Sequence, residues 1–337
     1  MNKNIKNVLI GTGIMTGTIV TAGMVASLIT KKLVNVALDR ETPEGMNASR
    51  KHISGEPVMK EFLKMQVQAA GELKRADCKT VEITVHDEEK LVGHWYTCEN
   101  AERIIIAMHG WRSSWVKDFG LISNFLFQNN CHVLFAEQRG QNNSGGNYMG
   151  FGLLERYDCL DWIRWVNQQG YDDMPIYLCG VSMGASTVLM TAGFDLPENV
   201  KGIIADCGYT SPNAIWKHVM ENNLRLYYDD IQGEIAADLC RKKIQIGPKD
   251  YSSTLAMAKC KVPVLFIHGT DDDFVPIEMT YENYKVCIAP KRLFAVPGAG
   301  HGMSYVVDKE GYEQTVKQFW HDFDGTEDKE NDQKNCV

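Results

Sequence analysis

A serine lies between two glycines in the stretch GVSMG, directly after the apolar run IYLC and directly before the helix-like stretch ASTVLMTAG. A G-x-S-x-G pattern between a strand and a helix is typical of a nucleophile elbow, a turn that admits only very small side chains two positions either side of the serine. Gly180 and Gly184 occupy those positions, and Ser182 would point its hydroxyl beyond the strand end. Glycine and serine are also common turn residues, so the pattern needs a matching base.

A serine hydroxyl is a weak nucleophile near neutral pH and needs a neighbouring base. Of the nine histidines, His301 in LFAVPGAGHGMSY fits best, because it follows a strand-like run through a loop of small residues. His109 and His268 each precede a glycine at the end of an apolar run. We interpret those two as residues that orient loops.

The base in turn needs a carboxylate that holds its tautomer. The stretch VPVLFIHGTDDDFVP offers three consecutive candidates: Asp271, Asp272 and Asp273. Any of the three gives the chain order serine, aspartate, histidine, which is typical of one class of serine-triad folds. The residues alone leave the choice among them open.

The elements that must position these residues alternate as strands and helices, a pattern that indicates βαβ units and a mostly parallel sheet. The predicted strands are 79–86, 91–97, 103–108, 132–136, 176–179, 201–205, 263–267 and 292–296. The first two are joined by the turn HDEEK, so the sheet is expected to begin antiparallel. The predicted helices are 116–129, 152–169, 183–193, 277–288 and 304–322.

The segment 209–250 interrupts this rhythm with helical patches and no strand, and it predicts a small helical cap inserted after the sixth strand. Its aromatic residues are candidates for the lining of a substrate pocket: Trp216, Tyr227 and Tyr228. Aromatic residues at helical spacing also serve plain packing, so this lining is a hypothesis.

The N-terminus carries an uncharged run, residues 8–30. As a helix it would span roughly 35 Å, enough for a bilayer core of about 30 Å. We predict a single-pass anchor within 1–34, with a cleaved signal peptide as the alternative. Gly13 and Gly17 form a G-x-x-x-G pattern, which can pair two membrane helices and gives the hypothesis of a homodimer.

The rest of the chain is expected to divide into a linker with a covering helix at 35–77, a main domain at 78–322 and a disordered tail at 323–337. A net charge of −8 without a basic block excludes a dedicated nucleic-acid-binding protein. The ten cysteines are scattered singly, without zinc spacing, and are interpreted as buried thiols. Nothing implies a metal, a nucleotide or another cofactor.

Five stretches in order, HGW, EQRGQNNSGG, GVSMGA, HGTDDDFVP and PGAGHG, resemble the landmarks of the α/β-hydrolase superfamily over about residues 79–322. The closest resemblance is to membrane-anchored bacterial serine hydrolases, often described as cell-surface hydrolases. It implies an α/β-hydrolase fold with an eight-stranded sheet. It also implies that Asp272 is the acid and that the backbone N–H groups of Trp111 and Met183 form the oxyanion hole.

These residues predict a serine hydrolase that cleaves carboxylic esters through an acyl-enzyme, with a small acyl ester or lipid-like molecule as substrate. Thioester hydrolysis, acyl transfer and peptide hydrolysis use the same triad and remain alternatives, as does a non-catalytic membrane-tethered binding module. The resemblance favours the extracellular face of the membrane. The unpaired cysteines favour a reducing or anaerobic setting, so the cytoplasmic side is not excluded and the orientation stays open.

Overall fold

The computed structural model describes residues 27–41 and 57–324. Most of the predicted membrane span 8–30, both glycines of the predicted dimer motif, Gly13 and Gly17, and nearly all of the predicted tail therefore lie outside the described residues. In the described part of the chain, none of the helices combines the length and the apolar character that crossing a bilayer requires.

Eight strands form one sheet in the order β1-β2-β4-β3-β5-β6-β7-β8. Their bounds are β1 Lys79–Thr84, β2 Lys90–Tyr96, β3 Arg103–Met108, β4 Cys131–Ala136, β5 Ile176–Val181, β6 Val200–Asp206, β7 Val264–Gly269 and β8 Lys291–Val296. Strand β2 runs antiparallel to both β1 and β4, and all pairs from β4 to β8 are parallel. The predicted eight-stranded, mostly parallel sheet is confirmed.

Helices connect the parallel strands and cover both faces of the sheet. They are α1 at 27–38, α2 Pro57–Arg75, α3 Trp115–Gln128, α4 Glu155–Val166, α5 Met183–Thr191, α6 Pro212–His218, α7 Asp230–Ile244, α8 Ser253–Met257, α9 Ile277–Val286, α10 Ser304–Val307 and α11 Lys309–Phe323. Single π-helical turns, Asn167–Tyr171 and Val219–Asn223, extend α4 and α6.

The hydrophobic core lies on both sides of the central strands. All side chains of β3, β4 and β7 are buried, as expected for parallel strands with helices on both faces. Trp162 of α4 and Val188 of α5 pack on one face, and Phe119 of α3 and Phe319 of α11 on the other. The parallel strands are thus held rigidly, with their carboxyl ends at one common edge.

The insertion between β6 and β7 carries α6 and α7, which form the cap over that edge. A third apolar cluster joins the cap to α1, where Val34 and Leu38 are buried against Ala236 and Cys240 of α7. Val34 and Leu38 are four residues apart and share one helix face. The predicted boundary between residues 34 and 35 therefore falls inside a continuous helix. The apolar face of this helix packs against the cap of the main domain.

Candidate active site

Ser182 occupies the sharp turn between β5 and α5. Its backbone lies at φ 55° and ψ −116°, a strained conformation that a non-glycine residue adopts only when its surroundings enforce it. A Cβ atom on Gly180 would overlap the Gly184 carbonyl, and one on Gly184 would overlap the Met108 carbonyl. The two glycines therefore allow the backbone contacts that force the serine outward.

The structure brings Ser182, His301 and Asp272 together from three separate loops. The Nε2 atom of His301 lies 2.9 Å from the Ser182 Oγ, and its Nδ1 lies 2.7 Å from an Asp272 carboxylate oxygen. When Nδ1 carries the proton and donates it to Asp272, Nε2 is free to accept the serine proton. The arrangement is that of a nucleophile, a general base and an orienting acid.

Of the three consecutive aspartates, only Asp272 is buried, whereas Asp271 and Asp273 are exposed. Its Oδ1 accepts the N–H groups of Phe274 and Val275 at 3.0 and 2.9 Å. The other carboxylate oxygen faces His301 and also lies 3.2 Å from the His268 Nε2. Exposed and buried side chains alternate along this tight loop, so only the middle aspartate faces His301.

The environment of Asp272 keeps it ionised. Burial by itself would raise the pKa of this carboxyl, but hydrogen bonds from His268 and His301 and the N–H of Val275 outweigh burial and hold the pKa well below its ordinary value. His268 is fully buried and also contacts the Thr280 hydroxyl at 2.7 Å. As predicted from its position, His268 orients the loop, and it also supports the carboxylate.

Two loops that carry the acid and the base are fastened to each other. The N–H of Asp271 donates to the Ala299 carbonyl at 3.0 Å, and the N–H of Gly298 donates to the Thr270 hydroxyl at 2.9 Å. The distance between Asp272 and His301 is thus set by backbone contacts as well as by their own hydrogen bond.

Trp111 and Met183, which carry the predicted oxyanion donors, line the same cavity as Ser182. Met183 is the first residue of α5, so its N–H has no partner within the helix. No residue in the described ranges accepts the N–H of Met183 or of Trp111. Asp118 steadies the loop before Trp111 by accepting the N–H of Gly110 at 2.7 Å and the hydroxyl of Ser113 at 2.5 Å. Both N–H groups are available for a negatively charged oxygen.

Helix α1 is tied to this same loop. The Trp111 indole N–H donates to the Ala37 carbonyl at 2.9 Å. The Arg112 guanidinium donates to the carbonyls of Val36 and Asp39 at 2.9 and 2.5 Å, near the C-terminal end of α1. A cation at this end is electrostatically favoured. The N-terminal helix therefore contributes to holding the oxyanion loop.

An apolar cavity of about 250 Å³ opens beside Ser182, between α1 and the cap. Of the predicted lining residues, Trp216 and Tyr228 face this cavity. Tyr227 does not: its side chain is 78% exposed, because it lies in the irregular segment before α7, where neighbouring residues point in opposite directions. The prediction for Tyr227 was wrong on this point. Sequence reasoning missed the wall from α1, which includes Leu33, Val34 and Ala37.

A second, larger cavity of about 510 Å³ also reaches Ser182 and, unlike the first, is lined by His301. It lies between α2, the start of α3 and the loop around α10, and it mixes apolar with charged residues. Gln66, Lys117 and Asp206 are among its polar lining residues. Ser182 thus lines two cavities, one almost wholly apolar and one that also carries charged side chains in its wall.

Sequence reasoning missed Asp206, which ends β6 beneath the serine. Its carbonyl accepts the Ser182 N–H at 2.9 Å, and its carboxylate accepts the Ser304 hydroxyl at 3.1 Å. Burial raises the pKa of this carboxyl to about 6, although His268, Ser304 and His301 oppose the shift. The signal was available, since an aspartate directly ends the strand-like run GIIA.

Cys207, next along the chain, has ligand-type atoms within 4.8 Å of Asp272 and His301. This is the one such metal-type grouping within the described ranges. Both ring nitrogens of His301 already contact Ser182 and Asp272, and burial raises the pKa of the Cys207 thiol well above its usual value. The group therefore fits a proton-transfer site better than a metal site.

Residues 103–261 match the family defined by the α/β-hydrolase fold. The Bacillus subtilis protein YqkD, itself uncharacterised, is 29% identical over 191 residues; the match spans 56% of this chain and only 61% of that relative's length. The uncharacterised Escherichia coli protein YfhR is 24% identical over 66% of this chain and 73% of its own. A solved esterase of Pyrococcus furiosus superimposes with a TM-score of 0.61 at 22% identity, over 74% of this chain and 92% of its own.

The match covers less than half of the chain; together with the sheet order and the elbow it supports the α/β-hydrolase fold, so the predicted fold is confirmed. Membership of a membrane-anchored, cell-surface type of hydrolase stays a prediction.

Proposed function

We propose that the protein is a serine hydrolase that cleaves carboxylic esters with an apolar acyl group. The observation that carries the proposal is the hydrogen-bonded line from Ser182 through His301 to Asp272 at the mouth of an apolar cavity. The fold family and the likeness to a solved esterase support it.

In the first half-reaction, His301 takes the Ser182 proton while the Oγ atom attacks the ester carbonyl carbon. The resulting oxyanion accepts the N–H groups of Met183 and Trp111, each such donor being worth on the order of 3 kcal/mol. The bond to the leaving oxygen then breaks, and His301 returns its proton to that oxygen. An acyl-enzyme and a free alcohol result.

In the second half-reaction, His301 takes a proton from water, whose oxygen attacks the acyl carbon. The tetrahedral intermediate then breaks down: the bond from the acyl carbon to the Ser182 Oγ breaks, the carboxylic acid leaves, and His301 returns the proton to Ser182. Asp272 stabilises the imidazolium in both halves. The same steps would serve a thioester or an acyl-acceptor alcohol, so a comparison of octanoyl esters with octanoyl thioesters, with and without added alcohols, separates these outcomes.

The test is labelling by a fluorophosphonate together with hydrolysis of p-nitrophenyl octanoate. We expect Ser182→Ala to lose the label and to lower kcat by at least about 10³-fold, because the nucleophile is removed. The matched control is Ser114→Ala, since the Ser114 side chain makes no cap hydrogen bond to α3 and lines neither cavity. The control must keep both label and turnover. Equal turnover by Ser182→Ala and the parent protein would refute the proposal.

A further inference from the structure

We propose that the larger cavity binds the alcohol part of the substrate, that this alcohol carries an anionic group such as a phosphate, and that Lys117 recognises the anion. This inference rests on the proposed ester hydrolysis. It adds the chemical class of the leaving group, which the triad alone does not specify.

The direction of the substrate follows from where the proton must go. The leaving oxygen receives its proton from the Nε2 atom of His301, so the alcohol must lie on the side of the serine that His301 faces. His301 lines the larger cavity and does not line the apolar one. The alcohol therefore occupies the larger cavity, and the acyl chain is left to the apolar cavity beside Met183.

The charges around the larger cavity point to an anion. Two carboxylates line it, and both have donors: Asp118 accepts from Gly110 and Ser113, and Asp206 accepts from Ser304. Arg112 also lines it and donates to carbonyls of α1.

Lys117, half-buried in the first turn of α3, differs from these charged residues in its hydrogen bonding. Within residues 27–41 and 57–324, no acceptor lies within hydrogen-bonding or ion-pair distance of its ammonium group. A half-buried cation without a protein partner attracts an anionic ligand, because a charge loses part of its hydration there.

The larger cavity has room for a short polyol that bears a phosphate. At about 510 Å³ it has twice the volume of the apolar cavity. Phe62 and Leu63 of α2 contribute apolar wall, and Gln66 of the same helix and Lys117 of α3 contribute polar groups. A short polyol that bears a phosphate places its ester oxygen at His301 and its anion toward Lys117.

The experiment compares two substrates that share one ester bond, 1-octanoylglycerol and 1-octanoylglycerol 3-phosphate, as monomers in solution. We expect the full-length protein to show at least about tenfold higher kcat/KM for the phosphate ester, a preference that falls as salt screens the charge. Lys117→Gln should lower this ratio at least tenfold, and Lys117→Arg should keep it within about threefold.

The control for the loss of a positive charge is Lys285→Gln, which changes an exposed lysine of α9 outside both cavities and should keep the parent ratio. Glycerol 3-phosphate should also inhibit hydrolysis of p-nitrophenyl octanoate competitively, whereas glycerol should not. Inorganic phosphate that inhibits as strongly as glycerol 3-phosphate would assign the subsite to a free anion and overturn the proposal.

A ratio of one or less in the parent protein, or an unchanged ratio in Lys117→Gln, also overturns the inference. In either case hydrolysis of the neutral ester would continue, so the proposed ester hydrolysis would stand. Failure of both substrates, together with loss of fluorophosphonate labelling in the parent protein, would instead remove the function itself.

Discussion

At the scale of single residues, the contacts of the Asp272 carboxylate fit it for the proposed role of orienting His301. It accepts two backbone N–H groups and contacts two histidines, and its side chain is fully buried. Such a group stays ionised across the working pH range, because its pKa lies far below it. The proposed role is to keep the proton of His301 on Nδ1 and so leave Nε2 as the base.

Asp272→Asn should therefore lower kcat by about 10³–10⁴-fold, since an amide can present an N–H to the imidazole and favour the wrong tautomer. The measurement is the steady-state hydrolysis of p-nitrophenyl octanoate. The matched control is Asp273→Asn, which alters an exposed neighbour and should retain parent activity. Comparable losses in both variants would mean that the loop as a whole, and not the orienting carboxylate, sets the rate.

At the scale of the elements, α1 contacts both the apolar cavity and the loop that carries the proposed oxyanion donor of Trp111. Its apolar face forms a wall of the cavity beside Ser182, and its carbonyls accept from Trp111 and Arg112. The cap supplies the opposite wall through α6 and α7. The cap and α1 together therefore set the shape and length of the proposed acyl cavity.

Ala37→Phe should shorten the acyl cavity, because a ring at this position of α1 projects into space that a long chain would use. We expect the kcat/KM ratio of p-nitrophenyl laurate to butyrate to fall by about tenfold or more, since a few methylenes excluded from a pocket cost that much. Asn35→Phe, on the same helix but outside the cavity lining, is the control. A ratio that does not change in Ala37→Phe would show that acyl chains bind elsewhere.

For the molecule as a whole, buried carboxyls with raised pKa values make stability depend on pH. The folded-state pKa of Asp206 is about 6, above the ordinary value of 3.8, so the folded protein holds this proton more tightly than the unfolded chain does. The contribution of this group to the free energy of unfolding is fully present below the pKa of the unfolded chain, 3.8, and is lost as pH rises through the folded-state pKa of about 6. Asp158, whose pKa burial also raises to about 6, acts in the same direction.

The asparagine in Asp206→Asn cannot ionise, so this variant should lack the part of the pH dependence of stability that comes from Asp206. Relative to the parent protein, its free energy of unfolding should increase by about 2 kcal/mol between about pH 4 and pH 8, because the pKa of this carboxyl differs by roughly two units between the folded and unfolded states. Urea unfolding at several pH values measures this. Asp173→Asn, an exposed control, should follow the parent curve. A difference that shrinks with rising pH would contradict the assigned sign.

The amino-acid order is sufficient to predict the fold and the proposed triad, because both leave local signals. Apolar runs specify the strands, and the glycines of GVSMG and PGAGHG specify turns that few residues can make. Among the three adjacent aspartates, the resemblance to a known family singled out Asp272, and the structure agrees by burying that residue alone.

Contacts between distant parts of the chain could not be predicted in this way. The burial of α1 against the cap, the outward turn of Tyr227 and the position of Asp206 beneath Ser182 all depend on how separate segments pack. The sequence pattern of an apolar helix face, or of one side of an irregular segment, is the same whichever distant segment packs against it. Packing in three dimensions therefore decided which side chains line the two cavities beside the serine.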